Sequence, residues 1–340
     1  MPNLLKQIPE TMRKQGIQEE TIAKFDFAGT GGAEEVIALI NQMDKLLTEK
    51  QRLAVMQEQG CSITGEPAKA HRDFWRKNKD KTLEERIALA LEVNSVHKYP
   101  CKLNDDGTLS VYWDGDGQSR CPCGMIKKLP ESVSIPLTFC GCCGGHARKN
   151  LQKSLGVDLR LIKIVSSVNS SGGKKRCEFL YKILDPKFLT PEDVKEDLSA
   201  EDKAVVDEFF IFAERYGLKP AVRFGGGHKR WKCVYTQKKP KRVIFTIDTE
   251  PGKLSIKACL FNIDKYLHKY TLPESIKTQL IQDKNWNCGN CSEKCRKGVP
   301  FTIDGQDYYK CIGGAFTLDS LNTDEWRLVR DLLQEELTNS

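Results

Sequence analysis

Two stretches near the middle of the chain carry the fold class: Asp158-Leu159-Arg160-Leu161-Ile162-Lys163-Ile164-Val165-Ser166-Ser167-Val168 and Cys177-Glu178-Phe179-Leu180-Tyr181-Lys182-Ile183-Leu184. In the second, Cys177, Phe179, Tyr181 and Ile183 recur with the period of two that a half-buried strand requires. The first is rich in apolar and β-branched residues but alternates only partly. Ser170-Ser171-Gly172-Gly173 lies between them and supplies turn residues, so the two read as an antiparallel hairpin.

Working outward, helical signals surround this hairpin. Ala147 to Leu155 predicts a helix just before it. Tyr99 to Trp113 predicts a strand pair turning at Asn104-Asp105-Asp106-Gly107. Residues 1–95 read mainly as helix. Within them Ala33–Gln57 places Val36, Ile37, Leu39, Ile40, Met43, Leu46, Leu47, Leu53 and Met56 near a 3.6-residue period. Thr82 with Glu85 marks the start of a helix running to Val93.

After the hairpin, residues 185–200 are polar with two prolines, and a domain boundary is expected there. A second domain then opens with a helix from Ala200 to Tyr216. Strands follow near 219–225, 230–236, 242–249 and 254–260, then helices near 262–269 and 273–282 and a hairpin near 299–310. Asn322 with Glu325 caps a last helix. The expectation is an α+β protein of two domains, residues 1–185 and 200–340, each a mostly antiparallel sheet with packed helices and a cysteine-rich metal site.

Composition bounds the function. The chain has 340 residues, 14 cysteines and a net charge of +7 from 53 Lys and Arg against 46 Asp and Glu. That excess is mild and falls short of the concentrated basic face of a nucleic-acid binder, so nucleic acid is a disfavoured partner. No signal-peptide pattern opens the sequence and no long apolar run could cross a membrane. A cytoplasmic location is therefore expected, where clustered cysteines act as metal ligands or redox groups rather than disulfides.

The cysteines form two clusters. Cys288-Gly289-Asn290-Cys291-Ser292-Glu293-Lys294-Cys295, with Cys311 after a hairpin, has the spacing of a four-thiolate site. Zinc is the expected ion, with an iron–sulfur cluster as the alternative. A closed site of this kind serves folding. The second cluster comprises Cys121, Cys123, Cys140, Cys142 and Cys143, with His146 and Cys177 beyond. C-x-C pairs suit shared or loosely held ions. Cys143 and His146 fall at the start of a predicted helix, where the dipole favours thiolate. Cys177 is equally a buried strand residue, and His146 is expected on the helix surface or as a cap.

These residues carry a resemblance. Arg120-Cys121-Pro122-Cys123, Phe139-Cys140-Gly141-Cys142 and Gly173-Lys174-Lys175-Arg176-Cys177-Glu178-Phe179 make residues 30–185 resemble a bacterial family common in anaerobic Firmicutes that has no assigned activity. The latter half of that region is also similar to the vinyl-reductase-type small-molecule-binding domain of ligand-sensing regulators. Some of those hold zinc through cysteines and a glutamate. Here Ser166 and Ser167 stand where the glutamate would be, and only Cys177 matches. Residues 200–338 resemble a second family ending in a cysteine knuckle, through Cys288, Cys291, Cys295 and Gly305-Gln306-Asp307-Tyr308-Tyr309-Lys310-Cys311.

The functional expectation is a zinc-binding protein with a small-molecule or redox-sensing role. The alternative is a redox enzyme or electron carrier using an iron–sulfur cluster or a reactive thiol between Cys121 and Cys143. Three other motifs carry weaker expectations: Gly29-Thr30-Gly31-Gly32 as a helix-entry loop able to cradle an anion, Gly225-Gly226-Gly227-His228 as a hairpin turn, and Lys238-Lys239-Pro240-Lys241-Arg242 as a solvated turn.

Overall fold

The computed structural model describes residues 3–93, 96, 99–113, 121, 123–126, 129–130, 133–225, 230–282, 298–310 and 314–339. The chain divides into two compact units, Met1–Phe188 and Leu189–Ser340. Each is α+β and built on an antiparallel sheet.

The first unit begins with helices α1 (Leu4–Lys14), α2 (Glu19–Ile22), α3 (Ala33–Leu46), α4 (Glu49–Glu58), α5 (Gly65–Asn78) and α6 (Leu83–Glu92). Ala33–Gln57 was expected as one helix, and the structure breaks it in two. Leu47 is extended, and Thr48 starts α4 with a capping box in which its hydroxyl accepts from Gln51 N–H and Gln51 accepts from Thr48 N–H. Two satisfied N-terminal donors outweigh the continuity of the apolar pattern. Val36, Leu39, Ile40 and Met43 of α3 nevertheless bury together against Leu5, Ile8 and Met12 of α1 and Val55 and Met56 of α4.

The sheet of this unit has strands β1 (Cys101–Leu103), β2 (Thr108–Trp113), β3 (Leu159–Ser166) and β4 (Cys177–Ile183) in the order β1-β2-β4-β3. Cys177, Phe179, Tyr181 and Ile183 are all buried, as the alternation predicts. The incomplete alternation of β3 has a physical cause: its register against β4 shifts between Leu161 and Lys163 and again between Ile164 and Ser166. Each bulge moves the apolar set across the strand so that Leu159, Leu161 and Ile164 share the core. Burying Phe179 alone contributes about 2 kcal/mol.

Helix α7 (Gly141–Leu155) covers that face and starts six residues earlier than expected from Ala147. Gly144 and Gly145 are helical because their missing side chains make room for neighbours. A Cβ on Gly145 would lie 2.0 Å from the Gln57 carbonyl oxygen, and one on Gly144 would meet Leu161 at 2.8 Å. The Tyr181 hydroxyl donates to the Gly144 carbonyl at 2.7 Å and locks sheet to helix.

The second unit holds α8 (Ala200–Arg215), a sheet of β5 (Lys219–Gly225), β6 (Arg230–Gln237), β7 (Arg242–Glu250) and β8 (Lys253–Cys259), then α9 (Ile263–Tyr266) and α10 (Glu274–Gln282). A two-stranded hairpin of β9 (Val299–Ile303) and β10 (Gln306–Lys310) follows, then β11 (Ala315–Asp319) and α11 (Thr323–Thr338). β11 escaped the sequence reading; it pairs with β8 and completes the order β11-β8-β7-β6-β5. The expected polar linker is partly structured, since Pro191–Lys195 forms a 3-10 turn with Val194 fully buried.

The weaker motifs find ordinary roles. The Gly29–Gly32 loop does cradle an anion, but that anion is the Glu35 carboxylate, which accepts from Gly31 N–H at 2.7 Å and Gly32 N–H at 2.9 Å. The basic run 238–242 turns between β6 and β7, and its Arg242 pairs with Glu336 at 2.9 Å. Residues 226–229 of the glycine turn lie outside the described residues.

Candidate functional site: the thiol neighbourhood and the Cys61–His146 pair

Cys140 ends a 3-10 turn, Leu137–Cys140, that runs directly into α7, so Cys140, Cys142 and Cys143 share one helical path. Residues two apart on a helix point to different sides, whereas residues three apart share a face. The C-x-C pair is accordingly divided. Cys140 is buried in the sheet core with Cys177, and Cys143 packs on that core. Cys142 and Cys123 pack on the helical core, and the Cys142 thiol donates to the Gln59 carbonyl at 3.4 Å.

These sulfurs still share a neighbourhood. An ionised Cys140 would be repelled by thiolates at Cys177, Cys121 and Cys123, and an ionised Cys143 by those at Cys142, Cys140, Cys121 and Cys123. On donor chemistry the group suits a thiophilic ion. As placed, no three His, Cys, Asp or Glu side chains among the described residues are arranged to hold one. The expected C-terminal ligands Cys288, Cys291, Cys295 and Cys311 lie outside the described residues.

Burial decides the chemistry of the cluster. It pushes the Cys140 and Cys142 thiols up to about 12, and raises Cys143 as well. The N-terminal dipole of α7 favours thiolate, but desolvation of the charged form is the larger effect here.

Among the described residues, the one exposed thiol lies elsewhere. Cys61 is exposed, in the loop between α4 and α5. Its Sγ lies 3.2 Å from Nδ1 of His146, and Nδ1 donates to the Cys61 carbonyl at 2.5 Å. Nε2 of the same ring is 3.2 Å from Nδ2 of Asn150, one helical turn further along α7. Trp113 stacks on the imidazole at a centroid distance of 5.8 Å, and Tyr99 meets it edge-on, also at 5.8 Å. The ring is thus held in place on two sides, contrary to the helix-surface role expected for it.

A close approach of two backbones makes this pairing. A Cβ on Gly60 would sit 2.3 Å from the Gly145 carbonyl carbon and the His146 nitrogen. With glycine at both positions the end of α4 lies directly on α7. Lys149 then clamps the loop, donating to the Glu58 carbonyl at 2.9 Å and the Gly60 carbonyl at 2.6 Å, while Arg148 pairs with the Glu58 carboxylate at 2.9 Å. Burial lowers the Lys149 ammonium from its ordinary value, and Glu58 partly opposes this.

A cavity of about 350 Å³ adjoins the pair, lined by Ile63, Glu66, Pro67, Ala70, His71, Tyr99 and Asn150. Its wall is mostly apolar and carries four polar groups, a carboxylate, a phenol, an imidazole and an amide, the usual make-up of a small-molecule site. Asn150 is fully buried, and its Oδ1 has no hydrogen-bond partner among the described residues. Burial pushes the Tyr99 phenol up to about 12, so it remains a neutral donor.

Cys61, Tyr99 and Asn150 were absent from the sequence-derived candidates. The i, i+4 spacing of His146 and Asn150 put them on one helical face, which was a legible signal. Nothing in the sequence pointed to Cys61 as their partner. No protein-family model, curated protein or solved structure matches this chain.

Proposed function

We propose that this is a zinc-binding protein whose first unit holds a small, largely apolar organic molecule. The observation that carries the ligand is the cavity beside α7, where Tyr99, His71 and Asn150 converge on an apolar wall. The resemblance of this region to vinyl-reductase-type ligand-binding domains supports the same reading. Ala70 lies on the cavity wall, so Ala70→Trp fills the space. Saturation-transfer NMR on the full chain with small aromatic and aliphatic fragments should find binders that Ala70→Trp abolishes. Binders indifferent to that substitution, or none, would sink the ligand reading.

Zinc rests on the spacing of Cys288, Cys291, Cys295 and Cys311, which suits a closed four-thiolate site. Cys121, Cys123, Cys140, Cys142, Cys143 and Cys177 add soft donors in one neighbourhood, and no ligand set is derived from them. Metal quantification on protein purified without oxygen tests this. Zinc without visible absorption supports the reading, whereas iron with broad visible absorption would favour the electron-carrying alternative.

A further inference from the structure

The amide of Asn150 has its orientation fixed by its neighbours. The Cys61 carbonyl oxygen, 2.5 Å from His146 Nδ1, accepts from that nitrogen, which therefore carries the ring proton. The neutral ring offers only a lone pair at Nε2, and only an N–H can meet it. Asn150 Nδ2, 3.2 Å away, supplies that N–H, and its other hydrogen serves the Tyr99 hydroxyl oxygen at 3.5 Å. Oδ1 is what remains: an acceptor on a fully buried side chain, with no partner among the described residues. Buried polar groups in folded proteins are nearly always met, because the hydrogen bond that water gave the unfolded chain is otherwise lost. Asn150 lines the cavity beside α7, so the donor that Oδ1 lacks can come from a molecule held there.

We propose that this cavity takes a small primary carboxamide on an apolar body, its N–H donated to Asn150 Oδ1 and its carbonyl oxygen accepting from the Tyr99 hydroxyl. This rests on the small-molecule reading of the cavity and names the chemistry of its occupant. Tyr99 lines the same space, and its oxygen already accepts from Asn150 Nδ2, so its own proton is left to give. Burial keeps that phenol neutral. An acceptor and a donor thus stand side by side at one wall. Their complement is a donor beside an acceptor, and a primary carboxamide carries both on one edge.

The rest of the lining selects the same class. Ile63, Pro67 and Ala70 receive the apolar body, and a volume of about 350 Å³ suits a single substituted ring. A carboxylate of the same shape is refused twice. It brings no N–H for Oδ1, and among the described residues no Lys or Arg lines the cavity, whereas Glu66 adds a like charge. A ketone or ester fills the space but leaves Oδ1 unmet, and a site built around a hydrogen bond discriminates against the analogue that cannot make it.

The test uses the full chain with benzamide, acetophenone and benzoate, which share a ring and differ at one group. Titrations followed by saturation-transfer NMR should show benzamide bound about tenfold or more tighter than acetophenone, in which methyl replaces the amide nitrogen. Benzoate should bind no better than acetophenone. Asn150→Leu should erase the preference for benzamide while acetophenone still binds, and Tyr99→Phe should weaken benzamide about tenfold. Should Asn150→Leu fail to fold, the three ligands on the wild-type chain decide alone. Acetophenone bound as tightly as benzamide, or a preference for benzamide that survives Asn150→Leu, would overturn the proposal and leave the cavity reading standing. No binding of any of the three, with the wider fragment set failing too, would remove both.

Discussion

The sulfur of Cys61 and Nδ1 of His146 stand 3.2 Å apart although 85 positions separate them in the chain. What joins them is the absence of two side chains, at Gly60 and Gly145, where α4 ends against the first turns of α7.

That contact is testable through Gly145. A Cβ there meets the backbone of Gln57 at 2.0 Å, and backbone cannot rotate aside. Gly145→Ala should cost about 2 kcal/mol in urea denaturation and alter the alkylation rate of Cys61. Wild-type stability in this variant would mean that α4 and α7 are not in direct contact.

In the second unit Glu336 of α11 is fully buried and accepts from Arg242 at 2.9 Å, Asn262 N–H at 2.8 Å and the Tyr266 hydroxyl at 3.1 Å. Glu336→Ala leaves a mostly buried guanidinium without its carboxylate. A loss of about 3 kcal/mol is expected in denaturant titration, with Glu336→Gln costing less because it keeps the shape and one acceptor. Equal losses in the two variants would remove the charge from the explanation.

Alkaline stability should depend on buried thiols. Cys101, Cys140 and Cys142 are each raised from an ordinary 9.0 to about 12 by burial. A raised thiol binds its proton more tightly when folded, so its stabilising contribution is complete below pH 9.0 and is lost as pH climbs toward about 12. Thermal melts should fall across that window, and Cys101→Ala should flatten part of the fall. A melt independent of pH there would contradict the burial of these groups.

Acid has the opposite sign at the start of α3. The backbone N–H groups of Gly32, Thr30 and Gly31 hold the Glu35 carboxyl below its ordinary 4.5. Its contribution is present above 4.5 and is lost as pH falls through the lowered folded value. Glu35→Gln should destabilise the first unit at neutral pH and make no difference in strong acid. An undiminished difference in acid would place its effect outside titration.

Much of the architecture was local and therefore legible. Thr82 with Glu85 and Asn322 with Glu325 each form a capping box that only a few consecutive residues specify. The alternation of Cys177, Phe179, Tyr181 and Ile183 identified β4 for the same reason. Errors arose where distant partners overrule local preference. Leu47 breaks the long helix, Gly144 and Gly145 are helical because neighbours need their space, and β11 exists as an edge strand on β8.

For the candidate site the balance is reversed. The sequence alone determined which residues could carry soft-metal or thiol chemistry, because residue type and spacing are local properties. The tertiary structure decided which thiols meet water. It buried Cys140, left Cys142 half-buried, and left Cys61 exposed beside an imidazole. Solvent access and the pairing of residues 85 apart depend on how α4 packs on α7, and no local pattern encodes that packing.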